Sequence, residues 1–346
     1  MTSRRHPIPS LKDHIDRVAH VVVNVSDLER SRAFYESVTP LRVVARMDAP
    51  RQSFPALGID DGAFEGYVMD DGSGDPTGGP PTQIHLVRWT TPGPVGRPYP
   101  AFWHTGLAKL AFRTPSAPAK LRQLRELGIA TTNPLIYRGY VSIQDPDGVL
   151  LSFAGSHTAD LPHGASDPCL FERLIHTNPS VRDVRRSRRL YEDVLGLRAV
   201  GEFIACEPVS ASLGPGADHA QVEAYPYVAR GGGFFLDLAQ FHHPRPTTET
   251  LTPYAEANHL GIVRVGFEVD DVDAAYDALV WAASNGDLPF PAAAPHVWDV
   301  GAPLGRRKVA VFGDHDGIQF ELTERPSFEP TGRCIHPDTS DPLPGV

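Results

Sequence analysis

Cysteine, lysine and long apolar runs are all scarce in this sequence, and each shortage excludes something. Its three cysteines, Cys169, Cys206 and Cys334, are odd in number, widely spaced and without a C-x-x-C pattern, which a reducing cytoplasm explains most simply. No stretch approaches the roughly 20 apolar residues of a membrane span. The opening MTSRRHPIPSLKDH carries charge but no apolar signal region, so neither membrane attachment nor secretion is expected. An excess of positive charge is missing too. The net charge is −10, whereas a nucleic-acid partner would require a basic field to meet its phosphates. Only Lys12, Lys109, Lys120 and Lys308 are lysines among the 32 basic residues, so a lysine on a strand stands out. What is present, 41% hydrophobic and 21% charged residues over 346 positions, suits a globular protein of two ordinary domains or one large one.

Two passages occur twice. HVVVNVSDLERSRAFYESVTPLRVV from His20 returns as HTNPSVRDVRRSRRLYEDVLGLRAV from His176, with Tyr35 and Tyr191 in the same register. GLAKLAFRTPSAPAKLRQLRELGI from Gly106 returns as GIVRVGFEVDDVDAAYDALVWAASNG from Gly261. Each copy opens on an alternating strand, passes an Asp or Ser-Pro able to cap a helix, and enters an amphipathic helical segment. Asp27, Asp183 and Asp271 fit the capping role, and further strands follow each helix. The pattern predicts an α+β protein of four βαβββ modules, arranged as two pseudo-symmetric halves with cup-shaped mixed sheets. The halves span 16–155 (modules 16–90 and 104–155) and 170–325 (modules 170–242 and 258–325), followed by a Pro-rich tail at 326–346. Loops 71–82 and 207–219 read as insertions.

The stretch Arg307 to Glu324 reads as a strand, a tight turn over Asp314-His315-Asp316-Gly317, and a second strand in which Ile318, Phe320 and Leu322 alternate with Gln319, Glu321 and Thr323. Glu321 therefore projects from the face opposite the apolar one. The echo at Asp145-Pro146-Asp147-Gly148 places Ser152 at the matching position. On the first strands, Val21, Val23 and Val25 face a helix while His20, Val22 and Asn24 face a groove, and His176 and Asn178 repeat this. Lys109 and Arg264 hold the equivalent places in modules two and four. On the last strands the groove positions are His85, Ser152, Asp237 and Glu321. Such a density of ionisable groups exceeds what packing requires.

With these motifs, H-x-x-x-x-V-x-D-x-x-R-S-x-x-x-Y, G-[LI]-x-x-x-x-F and the D-[PH]-D-G turns, the chain resembles the vicinal oxygen chelate superfamily over about residues 16 to 325. That superfamily includes glyoxalase I, extradiol ring-cleaving dioxygenases and bleomycin-resistance proteins. The resemblance implies paired modules forming an open cup, and a divalent metal held by first and last strands as Lewis acid or dioxygen platform. If module one pairs with module four, one cup holds His20, His85 and Glu321 as metal ligands beside Arg264, and the other holds Lys109, Ser152, His176 and Asp237. If neighbours pair, the ligand set becomes His176, Asp237 and Glu321. Two histidines and a carboxylate suit iron(II) best, with manganese, zinc, nickel or cobalt as alternatives.

In either case Arg264 and Glu321 are the expected catalytic residues. Arg264, Lys109, Asn24, Asn178 and Trp298 are the expected substrate contacts. The implied activity is that of a metal-dependent enzyme, dioxygenase-like or lyase- or isomerase-like, on a small oxygen-rich or aromatic molecule. The competing reading is a metal-free protein that sequesters such a molecule. A small-molecule partner is expected, with room for a homodimer.

Overall fold

The structure is a computed structural model. It describes residues 10–73, 80–132, 139–156, 172–207 and 220–324, apart from 102, 245–246, 255, 290 and 292. The Pro-rich tail, Phe102 and most of the insertion at 207–219 lie outside the described residues.

Module one comprises β1 (Ile15–Asn24), α1 (Leu28–Val38), β2 (Arg42–Phe54), β3 (Ile59–Asp70) and β4 (Gln83–Thr91). Module two comprises β5 (Gly106–Ser116), α2 (Ala117–Glu126), β6 (Tyr140–Gln144) and β7 (Leu150–Ser156). It has one strand fewer than the pattern predicts among the described residues, with only a Thr131–Ile143 bridge ahead of β6. Module three comprises β8 (Arg173–Ser180), α3 (Val184–Arg189), β9 (Arg198–Ala199), β10 (Phe203–Glu207), β11 (Ala220–Val228) and β12 (Phe235–His243). Module four comprises β13 (Gly261–Val269), α4 (Val272–Ser284), β14 (His296–Asp299), β15 (Arg306–Gly313) and β16 (Gln319–Glu324). Asp27, Asp183 and Asp271 each accept backbone N–H groups from the first turn of α1, α3 and α4. Among the described residues no helix is long and apolar enough to cross a membrane.

The modules cross over. One eight-stranded sheet runs β14-β15-β16-β13-β1-β4-β3-β2, so modules one and four share it through the antiparallel pair β1–β13. Modules two and three share the other sheet through β5–β8. The ends of the first sheet meet as well. Asp48 N–H donates to the Val300 carbonyl at 2.9 Å, and the Gln52 amide exchanges hydrogen bonds with the Asp299 backbone at 2.7 and 2.9 Å. The sheet thereby curls nearly closed, like a barrel.

Side-chain alternation sorts the core into layers. Val21, Val23, Val265, Phe267 and Phe320 join the large cluster that also takes in the buried faces of all four helices. Val22, Met47, Phe64, Trp89, Trp298 and Val309 fill the inside of the first cup. The D-x-D-G turns tie the two sheets together. Gly317 holds its turn with φ +87°, a conformation that costs other residues more. Asp316 accepts Arg182 N at 3.0 Å and Arg182 Nε at 2.5 Å. Asp147 likewise accepts Ser26 N at 2.8 Å and Arg30 Nη2 at 2.8 Å. Tyr99 and Tyr254, in the two connectors, stack at 4.0 Å and donate to each other crosswise. Tyr99 N reaches Tyr254 Oη at 2.7 Å, and Tyr254 N reaches Tyr99 Oη at 3.0 Å.

The first aspartate of each turn is buried. Burial raises Asp314 to about 7, with Asp316 adding repulsion, and raises Asp145 to about 6 against three opposing backbone N–H donors. Both folded values exceed the ordinary 3.8, so the folded state keeps protons that the unfolded state has released. Their contribution to stability is full below about pH 4 and declines as pH rises through about 6 and 7. Measured by urea unfolding, the stability of the wild type relative to Asp314→Asn should therefore fall as pH rises from 5 to 8, a comparison in which the opposite contribution of the buried histidines His85 and His176 cancels. A difference between the two that stays constant with pH would refute the assignment.

Candidate functional site

Inside the first cup, three neighbouring strands place Glu321, Gly266 and His20 side by side. Glu321 on β16 is level with Gly266 on β13, which is level with His20 on β1. A side chain at 266 would block the path between the other two. A Cβ there would stand 2.2 Å from His20 Cε1 and 2.4 Å from Nε2, so the glycine is what lets the imidazole lie across β13. His20 Nε2 then meets Glu321 Oε1 at 2.7 Å. Arg264 Nε donates to Glu321 Oε2 at 3.0 Å, completing a buried imidazole–carboxylate–guanidinium chain. Burial alone would raise Glu321, but His20 and Arg264 outweigh it and hold the carboxyl well below the usual range. His85, on β4, stacks on His20 with centroids 4.0 Å apart and planes 9° apart. Desolvation, with the charges of His20, Arg307 and Arg264, pushes His85 well below the ordinary imidazole value, so it is neutral at pH 7.

A cavity of about 50 Å³ opens onto these groups. Besides His20, His85, Arg264 and Glu321 it is walled by Trp298, Trp89, Arg307, Thr323 and apolar side chains including Met47 and Phe64. Trp298 thus lies with the residues expected from the sequence. Arg307, Trp89 and Thr323 were not among them, although the signal was available: a strand repeats every second residue. Trp89 shares a face with His85, Thr323 with Glu321, and Arg307 with Val309 and Val311, which also face the cup.

The donor types for a divalent metal are here, yet their arrangement does not make a metal site. An imidazole binds an ion in its own ring plane at about 2.0–2.1 Å. For two stacked parallel rings, an ion in the plane of one lies far out of the plane of the other. Both Glu321 oxygens are engaged, and Arg264 brings a permanent positive charge to the same group. Among the described residues no group of three His, Cys, Asp or Glu side chains is arranged to hold a metal ion.

The second cup gathers Lys109, His176, Asp237 and Asn178. The Asn178 amide donates to Asp237 Oδ2 at 2.8 Å, and the Lys109 ammonium lies 5.6 Å from the centre of the Tyr140 ring. Burial lowers Lys109 while Asp237 opposes the shift, and burial with the Lys109 charge pushes His176 well down. Ser152 bonds Ser142 at 3.0 Å. The alternative ligand set is divided, since His176 and Asp237 lie in one sheet and Glu321 in the other. Asn24 turns from the cavity and donates to the carbonyls of Ala257 and His259 at 2.7 and 2.9 Å.

The family model for the Glyoxalase/Bleomycin resistance protein/Dioxygenase superfamily matches residues 17–153 and 173–322. Among solved structures, glyoxalase I from Zea mays is 15% identical with a TM-score of 0.57, covering 91% of this chain and 94% of that one. A putative dioxygenase from Bacillus subtilis is 16% identical with a TM-score of 0.54, covering 90% and 86%. These likenesses concern the fold. No curated protein sequence matches.

Proposed function

Since the chain belongs to the Glyoxalase/Bleomycin resistance protein/Dioxygenase superfamily, we propose that it is an enzyme working in the cup of modules one and four, and that it moves a proton on a small oxygen-rich molecule in the manner of a lyase or isomerase. The observation that carries this reading is the buried chain His20–Glu321–Arg264 at the wall of a cavity. Arg264 Nη1 has no acceptor among the described residues, and it is the group to take a ligand carbonyl oxygen. As a proton leaves the neighbouring carbon, the C–H electron pair moves onto that oxygen and the guanidinium stabilises the charge. The proton passes to the His20–Glu321 pair. Sharing Arg264 with the ligand weakens its hold on Glu321, and so returns basicity to a carboxylate that His20 and Arg264 hold well below the usual range.

The test is deuterium uptake by small 2-hydroxy and 2-oxo carbonyl compounds in heavy water, followed by NMR in the presence of a chelator. Wild-type protein should catalyse exchange, and Glu321→Gln should lose about 100-fold or more. Exchange absent from the wild type, or undiminished in the variant, would sink the reading.

A second reading, a metal-dependent enzyme with dioxygenase-like chemistry, is favoured by one observation: His20, His85 and Glu321 occupy the same cup. It requires one ring to leave the stack. Elemental analysis decides it, since about one iron or other divalent ion per chain, absent from Glu321→Gln, is needed for this reading to hold.

A further inference from the structure

Five hydrogen-bond donors in the wall of the first cup have no acceptor within the described protein: Arg264 Nη1, Arg307 Nε, Trp89 Nε1, Trp298 Nε1 and Thr323 Oγ1. Elsewhere among the described residues, the buried side-chain groups without partners are hydroxyls, imidazole nitrogens, amide oxygens and a carboxyl oxygen. Every buried arginine or tryptophan N–H in that condition belongs to this wall. A buried donor without an acceptor costs about 1–3 kcal/mol, more if charged, so a cluster of them in one cavity is a recognition surface and not a packing accident. The donors are also unbalanced in charge. The permanently charged groups of the lining are two guanidiniums, Arg264 and Arg307, against the single carboxylate of Glu321. Apart from the imidazoles of His20 and His85, the remaining wall is apolar, with Val22, Met47, Phe64, Val87, Val300 and Leu304.

We infer that the ligand of this cup is a small carboxylic acid bound as its anion, with its carboxylate received by Arg264 and Arg307 and the indole N–H groups, and its short apolar end against Met47 and Phe64. The inference rests on the working site proposed above and adds the charge and size of what enters it. One negative charge neutralises the surplus positive charge, and a carboxylate offers about four lone-pair sites to the waiting donors. The second oxygen of a carboxylate serves the donors that one carbonyl oxygen on Arg264 would leave unmet, and guanidiniums suit such a group. Size follows from volume. At about 10–15 Å³ per water-sized position, the cavity accommodates roughly three to five such positions, which suits acids on the scale of acetate or propionate.

Calorimetric titration of the full chain with acetate, propionate and benzoate, and with acetamide and propionamide as uncharged matches, tests this. Propionate should bind about 10- to 100-fold more tightly than propionamide, the difference expected for hydrogen bonds to charged groups. Benzoate should bind more weakly than propionate. Arg307→Gln should weaken the acids by at least about tenfold and leave the amides unchanged. Trp298→Phe removes an N–H while retaining the ring bulk, and should weaken the acids severalfold, which keeps the test open if Arg307→Gln does not fold. Amides binding as tightly as acids, or acids indifferent to both substitutions, would overturn the inference. Should neutral hydroxyketones exchange protons while no acid binds, the inference fails and the proposed function stands. If neither acids nor neutral compounds bind, both fail.

Discussion

Glu321→Gln is expected to do two opposite things. Removing the negative member of a buried ion pair leaves Arg264 uncompensated, at a cost to folding of about 3–5 kcal/mol. The value should fall near the lower end, because the amide oxygen can still accept from Arg264 Nε. Ligand affinity should move the other way. With Glu321 neutralised, two guanidiniums face the cavity without an internal counter-charge, so propionate should bind the variant more tightly than the wild type while proton exchange is lost. Added propionate should then restore much of the lost stability, by about 2.7 kcal/mol at a hundredfold excess over its dissociation constant. Urea unfolding with and without propionate measures both effects. A variant that is destabilised but not rescued would show that Arg264 does not receive the acid. A double variant Glu321→Gln/Arg264→Met should be less destabilised than the two single changes combined, because the charge left stranded by each has gone.

Gly266→Ala should be damaging out of proportion to the one methyl group it adds. The new carbon would fall 2.2 Å from His20 Cε1, and the ring cannot yield sideways, being held by Glu321 at 2.7 Å and by the His85 stack at 4.0 Å. The cost of overpacking is about 1–3 kcal/mol. The functional cost should be larger, since an expelled imidazole breaks the proton-accepting pair and exchange should fall by about 100-fold or more. Combining it with His20→Ala makes room for the methyl, so the double variant should be more stable than Gly266→Ala alone. Equal stability of the two would mean that the ring was never in contact with position 266.

Much of this was legible in the residues. The repeated H-x-x-x-x-V-x-D strand-to-helix passage defines modules because alternation and an Asp cap are local physics, and the three capping aspartates behave as that physics requires. The groove positions follow from the two-residue period of strands, which also reaches Trp89, Thr323 and Arg307 once carried along each strand. Three things were not legible. Which modules share a sheet depends on the β1–β13 seam, and both edges offer the same backbone groups to any partner. The stacking of His20 on His85 depends on side-chain torsions that no spacing specifies. The clamp of Asp147 on Ser26 and Arg30, and of Asp316 on Arg182, joins residues more than a hundred positions apart. A turn motif announces its own geometry and not what it will hold.

The seam itself has a consequence for how the protein comes into being. His20 pairs across β1–β13 with Gly266, and Glu321 lies one strand further, on β16 of module four. Chains generally begin to fold from the N-terminus as they emerge, at about 5–20 residues per second. Module one, made first, must wait for module four, made last, before its open edge is covered. During that interval β1 presents an unpaired, valine-rich edge to the cell. Modules two and three can join each other earlier, through β5 and β8. They stand to form a folded middle that carries both ends of the chain toward one another. The cup, which needs the first module and the fourth, is therefore the last part of the molecule to be completed.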